Sequence, residues 1–135
     1  MRSDWERAAR VGDLAVLIEL ASSGVDVDAR DRYGQTALML AARGGHPDAV
    51  RWLAAHGADL NHSAKFGLTA LMLAVVFGHG EAARALIEAG AALEPRGTGA
   101  PGFSGKTALD LARGRGDAEL AAIIEARSLP PGQRP

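Results

Sequence analysis

One stretch of this chain returns at a fixed interval, and that repetition limits the fold more than any other feature. Gly34-Gln35-Thr36-Ala37-Leu38-Met39-Leu40-Ala41-Ala42 recurs 33 residues later as Gly67-Leu68-Thr69-Ala70-Leu71-Met72-Leu73-Ala74-Val75. After a further 38 residues it recurs as Gly105-Lys106-Thr107-Ala108-Leu109-Asp110-Leu111-Ala112-Arg113. A degenerate copy, Ser3-Asp4-Trp5 leading into Ala8-Ala9-Arg10, lies 33 residues before the first full one. A unit of this length cannot bury its apolar face alone, so such copies stack into a solenoid. Gly24, Gly57 and Gly90 give a second anchor, again 33 apart. Each unit therefore reads as helix, tight Gly turn, helix, Gly stop and a short extended finger, and the fold class is all-α.

These motifs resemble the ankyrin repeat, whose pattern is roughly Gly-x-Thr-Pro-Leu-His-x-Ala-Ala, then Gly-His, then Gly-Ala-Asp. The resemblance runs from about Ser3 to about Arg127. It implies a solenoid of four stacked helix-turn-helix units with β-hairpin-like fingers, at about 3–30, 31–63, 64–104 and 105–128, and a disordered tail over 129–135. Two family positions depart from the pattern. The Pro is Ala37, Ala70 and Ala108, and the His is Met39, Met72 and Asp110. Ala keeps the helix, being its best former, but the side chain that ties neighbouring repeats in the family is gone.

Composition bounds the function. A net charge of −1 lacks the basic surplus of a nonspecific nucleic-acid binder. The absence of Cys removes thiol chemistry, disulfides and Cys-based zinc sites. No apolar run has the ~18 residues that a membrane span requires, and Met1-Arg2-Ser3-Asp4-Trp5-Glu6 opens on no signal-type stretch. A soluble, cytoplasmic protein is expected, without nucleic acid or membrane partners.

Along the chain, Ser3-Asp4-Trp5-Glu6 has the Ser-x-x-Glu form of a capping box. Trp5 shares the register of Leu38, Leu71 and Leu109 and is expected in the core. Thr36 and Thr69 are expected N-caps, Pro47 opens a second helix without loss of a needed amide, and Leu17, Val50, Leu53, Leu86, Ile87, Leu120 and Ile124 carry packing faces. Two features break the pattern. The third unit has Val75-Val76-Phe77 where the second has Ala42-Arg43-Gly44, and Pro95 to Ser104 lengthens the next finger by five residues. The Gly and Pro content of 96–103 predicts a mobile loop.

Ala100-Pro101-Gly102-Phe103-Ser104-Gly105-Lys106-Thr107 approximates a phosphate-binding loop but lacks the preceding strand that such a loop needs. His46 and His79 mark register rather than a ligand pair, and with His56 and His62 they show no helical i, i+4 ligand spacing. Asp26, Asp28, Asp31 and Asp59 fall in fingers, where Asp stabilises turns. No catalytic residue, cofactor or metal site is expected, and the chain is read as no enzyme.

In ankyrin-like proteins the fingers and first helices line a concave groove that binds partner proteins. Carried onto this chain, that implies binding through Arg32, Tyr33, Gln35, Arg43, Lys65, Phe66, Leu68, Val76, Phe77, Phe103 and Arg115. Apolar groups rimmed by charge mark such surfaces, and the basic rim suits an acidic partner. Two other readings stand beside this one: a self-associating scaffold through Val76 and Phe77, and nucleotide binding by the loop before Lys106. A monomer or weak homodimer is expected.

Overall fold

The computed structural model describes residues 1–99 and 102–134. Four helix pairs follow one another: α1 (Ser3–Val11) with α2 (Leu14–Ser22), α3 (Ala37–Gly44) with α4 (Pro47–Ala55), α5 (Ala70–Val76) with α6 (Gly80–Glu88), and α7 (Ala108–Gly114) with α8 (Ala118–Ser128). The first helices stack on one another in one layer, and the second helices form the layer behind them. One hydrophobic core runs through the stack, from Trp5 and Leu17 through Leu38, Leu53, Leu71 and Leu86 to Ile124, all buried. Leu109, in register with Leu71, is only partly buried. Met39 and Met72 are 1% exposed, so they serve as core where the family has its polar tie.

Local chemistry sets the ends. Thr36 and Thr69 are buried N-caps whose hydroxyls accept from Met39 N at 3.4 Å and Met72 N at 3.3 Å. Pro47 is the first residue of α4. Gly24, Gly57 and Gly90 adopt φ of 98°, 89° and 96°, the left-handed step that turns each second helix into its finger.

Expectation and structure part in two places. The capping box at Ser3 does not form: Ser3 is already helical, Arg2 holds the cap position without a side-chain bond, and Glu6 is drawn to Arg10 at 2.7 Å. The box is in α7, where Thr107 accepts from Asp110 N at 3.3 Å and Asp110 accepts from Thr107 N at 3.0 Å. The long segment, expected as a mobile loop, is tied at its base. Gly97 N donates to Lys106 O at 2.9 Å, Gly105 N to Gly97 O at 2.9 Å, and the Arg96 guanidinium to Gly105 O at 2.6 Å. The part of that expectation falling on Ala100 and Pro101 lies outside the described residues. Past α8, Pro131–Gln133 form one 3-10 turn, and Arg134 Nε donates to Leu129 O at 3.0 Å; Pro135 lies outside the described residues.

The fingers are joined by a repeated tie. Asp28 Oδ1 accepts from Asp59 N at 2.9 Å, and one repeat on, Asn61 Oδ1 accepts from Ala92 N at 2.8 Å. His62 Nε2 adds a bond to Gly34 O at 2.8 Å. With each finger numbered by the unit it leads into, these bonds set the spacing of the second and third fingers, and so the opening in front of the first helices.

Candidate groove between the second and third fingers

The second finger is a tight turn closed by its own aspartate. Asp31 N donates to Gln35 O at 2.9 Å, while Asp31 Oδ1 accepts from Tyr33 N and Gln35 N, each at 2.9 Å. The third finger repeats the closure, Ala64 N to Leu68 O at 3.0 Å, but Ala64 has no carboxylate to fix the tip. There the chain makes a 3-10 turn at Lys65–Gly67 with Phe66 at φ 65°. A side-chain-bearing residue in this region costs about 1–2 kcal/mol. The lengthened fourth finger supplies the support: Phe66 O accepts from Thr98 N at 2.6 Å, and the Phe66 ring lies 6.3 Å from that of Phe103.

Between these fingers and α1, α3 and α5 lies a groove of about 670 Å³. Leu40, Leu68 and Leu73 form its apolar floor, and Tyr33, Gln35 and Phe66 its finger wall. Arg10, Arg43, Lys65 and Asp31 stand at its rim. Of the residues singled out in the sequence, Tyr33, Gln35, Arg43, Lys65, Phe66 and Leu68 are brought together here. Arg32 lies beside them, its guanidinium 5.8 Å from the Tyr33 ring centre. Phe77, 46% exposed, lies under Arg43 at 4.9 Å.

The remaining three stand elsewhere. Phe103 is half-buried against Phe66 and the core, and does not line the groove. Val76 is half-buried, and its carbonyl accepts from Arg115 Nη1 at 2.8 Å. Arg115 therefore stitches the fourth unit to the third; its guanidinium rests where a Cβ on Gly78 would stand 2.7 Å away. Reading from sequence missed Arg10, Gly44 and Ala64 as lining, and took Leu40 and Leu73 only as core. The register gave a signal for Arg10, one repeat before Arg43, but α1 looked like a mere end unit.

The electrostatics of the groove are uneven. Arg10 is paired with Glu6, and the Oδ1 of Asp31 is taken up by two amides. Arg43 and Lys65 have no ion-pair partner among the described residues; each lies over a ring, Lys65 Nζ 5.0 Å from the centre of Phe66. The rival chemistry finds no support here. Where a phosphate-binding loop would present the Thr107 amide and hydroxyl, both bond to the Asp110 carboxylate, at 3.0 and 3.1 Å; Ala100 and Pro101 of that motif lie outside the described residues. Among the described residues no group of His, Asp and Glu is placed to hold a metal, and no helix is long and apolar enough to cross a membrane.

Comparison with known proteins bears on the same residues. Residues 5–97 match the family model for Ankyrin repeats (3 copies). Ankyrin repeat domain-containing protein 29 of Danio rerio is 58% identical over 45 residues, and its Homo sapiens counterpart 60% over 45; each match covers 33% of this chain and 15% of the relative. Ankyrin repeat, SAM and basic leucine zipper domain-containing protein 1 of Equus caballus is 47% identical over 47 residues, covering 35% of this chain and 10% of that protein. The chain thus matches only a small part of the length of these relatives.

Proposed function

Because the chain belongs to the ankyrin repeat family, whose repeats are generally protein–protein interaction modules, we propose that it is a non-enzymatic module binding a partner protein in the groove between its second and third fingers. One observation carries this reading: an apolar floor is bordered by two cations, Arg43 and Lys65, that no carboxylate pairs with among the described residues. Aromatic and Arg side chains in such settings dominate interface energetics once water is excluded. Tyr33 and Phe66 occupy the same finger position one repeat apart and are 60% and 37% exposed, so they offer contact area that the fold does not consume. The basic rim suits an acidic partner surface, and association would slow as salt rises.

The test uses Tyr33→Ser combined with Phe66→Ser in the full chain. Capture of interacting proteins from native lysate, read by mass spectrometry, should lose its specific partner while the melting temperature stays near that of the wild type. Undiminished capture by a folded double variant would remove the groove from the binding surface.

A further inference from the structure

Floor and rim of the groove ask different things of an occupant. Leu40, Leu68 and Leu73 are 5%, 8% and 6% exposed, so the apolar area open to a ligand is small and contiguous. It suits a single bulky apolar side chain better than the face of a helix. The lining also ends at the third finger, where Thr98 N holds Phe66 O and Phe103 packs against the Phe66 ring. At about 670 Å³ the groove has the capacity of a small-ligand pocket, roughly 300–1,000 Å³. A short extended segment fits this shape.

Charge selects the segment's chemistry. Arg43 rises from α3 and Lys65 from the third finger, so the two cations stand on different elements bordering the floor. Each is held over an aromatic ring, which lowers the rotamer freedom lost when it meets a ligand. The one carboxylate of the lining, Asp31, already serves two backbone amides. Donors are thus in surplus and acceptors are scarce. We propose that the groove takes a short linear acidic segment of a partner protein, with one bulky apolar side chain on the floor and carboxylates on either side meeting Arg43 and Lys65. This rests on the reading of the chain as a protein-binding module and names what that module takes.

Fluorescence anisotropy with the intact chain tests it, using as probe a short labelled peptide with one Leu flanked by Glu on both sides. Parallel probes replace the Leu by Gly, replace every Glu by Lys, or substitute oligothymidylate, since Tyr33 and Phe66 would also serve as stacking surfaces for bases. The acidic Leu peptide should bind with an affinity that falls as salt rises. Removing its Leu should weaken it about tenfold, and Lys65→Glu with Arg43→Glu about tenfold or more. Both cations are exposed, and the milder Lys65→Gln with Arg43→Gln keeps the test valid should charge reversal disturb folding. Equal binding of the Lys peptide, or binding of oligothymidylate in preference, overturns the proposal. Absence of peptide binding while Tyr33→Ser with Phe66→Ser still abolishes partner capture also overturns it, yet leaves the interaction module standing; loss of both results removes both readings.

Discussion

At Asp110, a single side chain both departs from the family pattern and completes a capping box at the start of its helix. Its carboxylate accepts the Thr107 amide at 3.0 Å and the Thr107 hydroxyl at 3.1 Å. These bonds, the amide's above all, with the charges of Arg96 and Arg113, outweigh desolvation and hold its pKa below the ordinary value of 3.8. A folded-state pKa below the unfolded one contributes stability above the unfolded value, and that contribution is lost as pH falls through the folded one. Denaturation midpoints of the wild type and Asp110→Asn should therefore differ most at neutral pH and converge as pH falls through the lowered pKa of the folded state; a constant difference across the titration would show that the carboxylate's charge is not involved. Thr107→Ala should cost about 0.5–2 kcal/mol at neutral pH, the usual loss for an N-cap, read from the same midpoints. Leu71, 1% exposed between neighbouring repeats, should cost about 2–5 kcal/mol when truncated to Ala, and an unchanged melting curve would contradict the register. The Thr caps and Leu71 were legible in the sequence because register alone fixes them. Ser3 misled because a capping box requires Ser before the helix, and the helix starts one residue too early for that.

The lengthened fourth finger shows where composition misjudges an element. Gly97, Gly99 and Gly102 imply high chain entropy, yet one of them is there to let backbone approach backbone. A Cβ on Gly97 would stand 2.3 Å from Phe103 O, whereas one on Gly102 would meet nothing within 4 Å. Gly97→Ala should therefore destabilise by about 1–3 kcal/mol, as overpacking does, and Gly102→Ala should leave the midpoint nearly unchanged. Trypsin should also cut after Arg96 in the Gly97 variant sooner than in the wild type, whose Arg96 guanidinium is bound to Gly105 O. Equal susceptibility of the two proteins would mean that the finger's base is not held by these bonds. The groove was legible in the same partial way. Tyr33 and Phe66 follow from period, but the left-handed turn at Phe66 depends on Thr98, and contact between two fingers has no local signature.

In the whole molecule, each unit borrows stability from its neighbours, so terminal units open most easily. The stitches between units are not uniform. His46 Nε2 reaches back to Arg10 O at 2.9 Å across the first boundary, and Arg115 Nη1 reaches back to Val76 O at 2.8 Å across the last. The sequence placed Arg115 on the binding rim because it shares the register of Phe77; which carbonyl its long side chain would find, 39 residues away, depends on the stacking of α7 on α5. A hydrogen bond from a charged donor contributes about 1.5–3 kcal/mol when shielded and less when exposed, and Arg115 is exposed. Its loss should thus loosen the last unit without unfolding the rest. Hydrogen exchange of Arg115→Ala should quicken for amides of α7 and α8, while those of α3 and α4 keep wild-type protection. The same variant should bind the acidic Leu peptide as tightly as the wild type, because the groove ends before the fourth unit. Weakened peptide binding with unchanged exchange would reverse the assignment, returning Arg115 to the rim and removing it from the stack.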